Sequence, residues 1–255
     1  MKKLKPAQIA LIIILVIYSI LSFYKLGNMK NPQTFANLKK GEKLVYKINS
    51  EQIPEKMMVY SGYNESEFTI YYSNNYENED EYVTGTTVYL DYSNVFKWNE
   101  EYINAPEVKP NYIIIKSERE TTTLGEFKIY DTNDKKIELT PMGEKEKILL
   151  DEQEDVPKNY SYMNSTYFDE IYFPRTAYEM LNNLSIYEYT HPPLGKIILS
   201  IPIHFFGLTP FAYRLCGNIA GILIILVIYK IAKQLFKRER YALFSAIIMA
   251  LDGMH

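Results

Sequence analysis

The chain has 255 residues, 47% hydrophobic and 23% charged, with 24 Tyr, 12 Pro, 11 Gly, one Cys and a formal net charge of -3. The single thiol, Cys216, excludes an intrachain disulfide framework and a zinc ribbon, and three scattered histidines (His191, His204, His255) exclude a His-rich metal site. The averages conceal a split: Leu26 to Tyr160 carries a net of -9 and the remainder a net of +6, with no basic stripe of the kind that neutralises nucleic-acid phosphates.

In chain order, Ala7 to Tyr24 comes first, with only Gln8, Ser19 and Ser22 polar. At about 1.5 Å per residue it reaches, with its flanks, roughly the 30 Å of a bilayer core, so it predicts a transmembrane helix. A cleaved signal peptide is the rival, but the apolar stretch is longer than a usual signal core and no small-x-small site follows it. Lys2, Lys3 and Lys5 place the N-terminus in the cytoplasm and the acidic segment outside.

That segment reads as β. Lys43 to Asn49, Glu67 to Ser73, Thr86 to Tyr92, Asn111 to Ser117 and Gly125 to Asp131 are rich in Tyr, Ile, Val and Thr, and turn residues separate them. Strands at this spacing predict a sandwich, and its tyrosines could pack or line a sugar-binding face.

Phe211 to Phe236 predicts a second span, with Arg214 near one end and Lys230 and Lys233 able to snorkel at the other. It ends at the basic run Lys237 to Arg240, which belongs inside. Leu194 to Phe206 is also apolar, but a crossing there would put that run outside, and Pro202 interrupts it; a juxtamembrane or re-entrant helix is expected. A third apolar stretch starts at Tyr241 and stops at His255, short of a full span, which predicts that the chain is a fragment. The expected division is 1–26 (cytoplasmic N-terminus and first span), 27–150 (extracytoplasmic β-sandwich), 151–163 (linker), 164–209 (exterior loop), 210–236 (second span), 237–241 (cytoplasmic loop) and 242–255 (start of a third span).

Candidate chemistry converges between the sandwich and the second span. Asp169 and Glu170 are adjacent carboxylates; on a helix suggested by Tyr172, Thr176, Met180 and Leu184 they would diverge by about 100°, which suits two roles or merely two first-turn acids. In Thr190 to Lys196 (THPPLGK), the prolines force His191 out of the α region and start a helix, so His191 and Lys196 flank an anion site or a rigid turn. Arg214, about one turn into a span, needs an anionic partner or a headgroup. Asp252, about 11 residues into the third stretch, is a functional or a structural intramembrane carboxylate.

Together, YFDE (Tyr167 to Glu170), RTAYE (Arg175 to Glu179), THPPLGK and PFAYRL (Pro210 to Leu215) resemble the N-terminal part of the bacterial protein O-mannosyltransferases. These are phospholipid carrier-dependent glycosyltransferases of the dolichyl-phosphate-mannose protein mannosyltransferase family. The resemblance covers about Leu149 to His255, and Leu149 to Pro157 is similar to the linker that follows an inserted galactose-binding-like sandwich in many members. It implies a truncated membrane α-helical C-type glycosyltransferase fold with an inserted sandwich, in the plasma membrane, multi-pass, with the site extracytoplasmic. It also implies mannose transfer, with inversion, from a polyprenyl phosphate to Ser or Thr of an acceptor protein. Asp169 would be the base, Glu170 would orient the acceptor or hold Arg214, and His191, Lys196 and Arg214 would meet the lipid phosphate. No metal ligand is assigned, and a divalent cofactor is left open because some relatives bind one near the equivalent carboxylates. Two other classes remain open: a membrane-anchored sandwich binding glycan or cell wall without catalysis, and the start of a transporter.

Overall fold

The computed structural model describes residues 5–104, 106 and 109–252; Lys2, Lys3 and His255 lie outside them. Helix α1 is Pro6–Phe23. Pro6 at its first position supplies a preset φ and lacks only an N–H that would be unpaired there. No residue of α1 is buried, and Ile13, Val16, Ile17, Ile20 and Leu21 are each more than half exposed. The helix is long and apolar enough to cross a membrane.

Among the described residues nine strands follow: β1 Ala36–Leu38, β2 Lys43–Ile48, β3 Lys56–Ser61, β4 Ser66–Ser73, β5 Val83–Leu90, β6 Trp98–Tyr102, β7 Tyr112–Ser117, β8 Thr122–Tyr130 and β9 Leu139–Pro141. They form two antiparallel sheets, ordered β1-β8-β3-β6 and β5-β4-β7-β2-β9. Register sets Met57 opposite Ile129 and Val59 opposite Phe127. These side chains meet Leu44, Tyr46, Phe68, Ile70, Ile113 and Ile115 of the other sheet in one buried core, as two sheets packed face to face require.

Five of these strands are legible in the sequence; β3 is not, because it lacks alternation. Met57 and Val59 face the sandwich core, while Met58 and Tyr60 face a second cluster against the helices, so both sides of the strand are apolar. That second cluster is the seat of the sandwich. It joins Met58, Tyr60, Phe96 and Trp98 to Ala177, Ile203, Leu208, Ala212 and Tyr213.

A short helix α2, Glu144–Ile148, closes the sandwich, and the chain returns through a 3-10 turn, Phe168–Ile171, to α3 Phe173–Leu181, α4 Pro193–Phe206, α5 Pro210–Phe236 and α6 Glu239–Leu251. Helix α4 contains Pro202 and ends at Gly207, whose φ of +72° suits glycine; a Cβ there would lie 2.4 Å from Gln33 Oε1. Helix α5 is the second helix long and apolar enough to span a membrane.

Helices α1, α5 and α6 pack side by side through Leu11, Leu15 and Tyr18 of α1, Ile225, Tyr229 and Ala232 of α5, and Ala242 and Ala246 of α6. Small residues at such a contact let the helix backbones approach closely. At one end Lys233 pairs with Glu239 at 2.6 Å. At the other, Gly27 lies against Pro210, where a Cβ would come within 2.7 Å of a backbone carbon, and Phe211 N donates to Asn28 O at 3.1 Å. The end of α1 and the start of α5 are therefore stitched together beneath the sandwich.

Two expectations change. Asp169 and Glu170 do not open an α-helix but sit in the 3-10 turn before it, entered through Phe168 at a φ of +50°. Helix α6 ends at Leu251, with Asp252 in an extended conformation closing its last turn through a 3.0 Å bond from its N–H to Ile248 O. Asp252 is thus the C-cap residue of α6 among the described residues.

Candidate active site beneath the sandwich

The 3-10 turn separates its two carboxylates. Glu170 turns toward α5, where its Oε1 accepts from Arg214 Nε at 2.5 Å and its Oε2 accepts from Arg214 Nη2 at 2.6 Å. Oε2 also accepts the Tyr167 N–H at 2.9 Å, which fixes the start of the turn. The remaining Arg214 donors reach carbonyl oxygens: Nη1 donates to Leu26 at 3.0 Å and Tyr162 at 2.7 Å, and Nη2 to Ser165 at 3.4 Å. All five guanidinium N–H groups are engaged. The anionic partner that Arg214 needs is Glu170, and the pair draws Leu26 and the stretch from Tyr162 to Glu170 to the head of α5.

Asp169 is exposed and makes no side-chain hydrogen bond or ion pair among the described residues. It lies on the side of Tyr172. The Tyr172 hydroxyl is held above its ordinary pKa, first by partial desolvation and then by the electrostatic influence of Tyr92, Tyr187, Asp169 and Glu188. The next residue of α3, Phe173, sets its ring edge-on to His191, with centroids 5.3 Å apart.

The loop itself is organised by a residue with no sequence signal of its own, Glu188. Its Oε2 accepts from the Lys196 ammonium, and its main-chain oxygen accepts from the same ammonium at 2.7 Å. Oε1 accepts the Thr190 N–H at 2.7 Å, the Thr190 hydroxyl and the His191 N–H at 3.2 Å, and lies 3.1 Å from His191 Nδ1. Lys196 is 1% exposed, one of the largest fully buried side chains in the protein. The contact with Lys196, followed by the Thr190 hydroxyl, holds the Glu188 carboxyl well below the usual carboxylate range. His191 keeps a side chain 57% exposed. The structure thus brings His191 and Lys196 to one carboxylate, leaves the imidazole open to solvent, and turns the ammonium inward.

A second buried pair supports this loop from α3. Arg175 Nε donates to Glu179 Oε1 at 2.9 Å, Glu179 Oε2 accepts the Tyr187 N–H at 2.9 Å, and the Arg175 guanidinium lies 3.9 Å from the centroid of the Tyr187 ring. The i, i+4 spacing of Arg and Glu on a helix was the available signal for it.

The fold and this site define a β-sandwich seated on helices of which two are long and apolar enough to span a membrane, with acid and base side chains gathered at the junction. Residues 190–254 match a family profile described as dolichyl-phosphate-mannose-protein mannosyltransferase. Curated relatives include the polyprenol-phosphate-mannose–protein mannosyltransferases of Mycobacterium tuberculosis and Mycolicibacterium smegmatis, each 24% identical over 93 residues. Those alignments cover 34% of this chain and 18% of each relative. The resemblance read in the motifs is therefore matched over the segment from Thr190 onward; Asp169 and Glu170 precede the profile match. Among solved structures, the CBM32 of AlyQ in complex with 4,5-unsaturated mannuronic acid aligns with a TM-score of 0.33 and 13% identity, covering 41% of this chain and 80% of that one. That likeness is too loose to bear on ligand or function.

Proposed function

We propose that this chain is part of a membrane glycosyltransferase that moves mannose or a similar sugar from a polyprenyl phosphate to Ser or Thr hydroxyls of a protein, with inversion. The match to mannosyltransferases from Thr190 onward supports the class. The observation that carries the mechanism is the divergence of Asp169 and Glu170: one carboxylate is free and exposed, the other is held by Arg214.

A hydroxyl is a poor nucleophile, and a carboxylate within hydrogen-bond reach takes its proton as the new bond forms. Asp169 fills that role, since no cation or donor among the described residues engages it. Glu170 acts at one remove, locking the turn to α5 so that Asp169 faces the acceptor. The departing phosphate is already a weak base, so its charge needs donors and cations more than a general acid. Of the three groups expected to serve it, His191 offers an exposed imidazole, while Lys196 and Arg214 act here as the anchors of their loops. Glu170 is engaged by Arg214 through both oxygens, and the proposal routes no step through a metal. The site would face the extracytoplasmic side, with the Lys233–Glu239 end of the bundle inside.

The test is Asp169→Asn in the full-length protein, reconstituted with a polyprenyl-phosphate sugar and a Ser/Thr peptide. Transfer should fall by two to four orders of magnitude, about what a positioned general base contributes, with unchanged thermal unfolding. Retained transfer removes Asp169 as the base and returns the reading to an anchored sandwich that binds glycan or cell wall.

A further inference from the structure

With all five Arg214 donors engaged and the Lys196 ammonium buried against Glu188, His191 alone of the three expected groups stays open, and a lipid phosphate needs further counter-charge from elsewhere. Beside Arg214 lies a cavity of about 840 Å3, and its walls bring in two cations that the motifs do not contain, Lys25 and Lys97.

Lys25 stands two residues beyond the end of α1, at a φ of +57° that turns the chain away from the helix axis. Its ammonium has an aromatic neighbour, 5.5 Å from the centroid of the Tyr24 ring, and no carboxylate partner among the described residues. Lys97 comes from the sandwich, immediately before β6. Its main chain is fixed on both sides by Ser61, whose N–H donates to Lys97 O at 3.1 Å and whose hydroxyl accepts the Lys97 N–H at 3.3 Å. Its half-buried side chain likewise has no carboxylate partner among the described residues. The carboxylate in the wall, Glu170, is matched by Arg214, so two positive charges remain uncompensated around the cavity.

Position narrows the ligand. Ser22, in the last turn of α1, forms part of the wall, so the cavity opens where an apolar helix reaches its polar end. Tyr162 and Tyr167 add aromatic side chains with polar tips, a residue type that suits a membrane–water boundary. Paired cations at such a boundary fit an anionic head whose tail lies in the bilayer. A soluble anion would not need the site to sit there.

We propose that this cavity seats the phosphate head of a membrane amphiphile, with Lys25 and Lys97 as its counter-charges. The sandwich then supplies half of the charge at the site, which gives its seat on the helices a functional reason. Identification of the amphiphile as a polyprenyl phosphate rests on the proposed function; the presence of a lipid-phosphate site does not.

The experiment measures ligand binding to the full-length protein in phosphatidylcholine nanodiscs, with three probes: a polyprenyl phosphate, phosphatidylglycerol and inorganic phosphate. Lys25→Gln and Lys97→Gln should each weaken polyprenyl phosphate binding about tenfold, the loss expected when one charge-assisted contact is removed. Lys→Arg at either position should restore it, and Lys109→Gln elsewhere on the sandwich should leave it unchanged. Wild-type binding by the double Gln variant overturns the proposal, and so does inorganic phosphate binding as tightly as the lipid. Phosphatidylglycerol binding as tightly as the polyprenyl phosphate overturns the carrier assignment and leaves a general headgroup site. Because binding needs no turnover, an Asp169→Asn variant that retains transfer defeats the catalytic reading alone, and lysine variants that bind normally defeat this inference alone.

Discussion

Two carboxylate–cation pairs flank the 3-10 turn, and they differ in reach. Glu170 and Arg214 are 44 residues apart, and Arg214 also holds Leu26 and Tyr162, 188 and 52 residues away. Glu188 and Lys196 are separated by eight residues and organise only the loop between them and its flanks. The first pair joins regions that would otherwise be independent; the second shapes one loop locally. Similar chemistry serves assembly in one place and positioning in the other, and what separates the two is the sequence distance each pair closes.

The strongest way to break this contrast is at Arg214. Arg214→Met leaves Glu170 without its cation and the Leu26, Tyr162 and Ser165 carbonyls without that donor, so a loss of about 3–5 kcal/mol is expected. It should be read by chemical denaturation, with hydrogen exchange rising together at Leu26, Tyr162 and the turn.

Next in size is a test confined to the sandwich, far from either pair. Glu126 is fully buried in β8, accepts the Glu152 N–H at 2.7 Å and a second bond from Gln153, and burial pushes its carboxyl up from 4.5 to about 7. A raised folded-state value means that the folded protein holds a proton the unfolded chain has released between pH 4.5 and 7. Stability therefore falls as pH rises through that window, by about 3 kcal/mol at most by pH 8. Glu126→Gln should flatten this dependence in thermal melts from pH 5 to 8, and an unchanged slope would assign it to other groups.

Smaller still is Gly27→Ala, whose Cβ would meet Pro210 and push α1 from α5, for about 1–3 kcal/mol. If the long-range pair governs assembly, this change should add less than its full cost in an Arg214→Met background, because both act on one contact. The least global effect is expected of Lys196→Met. Glu188 retains the Thr190 and His191 amides, so exchange should rise from Tyr187 to Lys196 while the sandwich is undisturbed. Undocking of the sandwich in that variant would erase the distinction between the two pairs.

Much of this architecture is legible without coordinates. The two helices long and apolar enough to cross a membrane announce themselves by length and apolarity, and five strands by their Tyr, Ile, Val and Thr content between turns. Strand β3 escapes because a strand covered on both faces has no period of two. Glu188 escapes for a different reason: an isolated Glu among tyrosines carries no pattern, and its importance comes entirely from the buried ammonium above it. Lys97 is invisible in the same way, since it approaches the site only through the docking of the sandwich.

Residue order alone settled which segments are apolar enough for a bilayer, where the β region lies, and that adjacent carboxylates, a proline-fixed histidine and a span-end arginine occur in one stretch. Those are local properties, carried by runs of neighbouring side chains. Which carboxylate is free and which is held, which cations are already matched, and which lie open beside the cavity were decided by tertiary contacts between Leu26, Lys97, Glu170, Glu188 and Arg214. The cause is that a charge's availability depends on its burial and its partners, and both are set by segments far away along the chain.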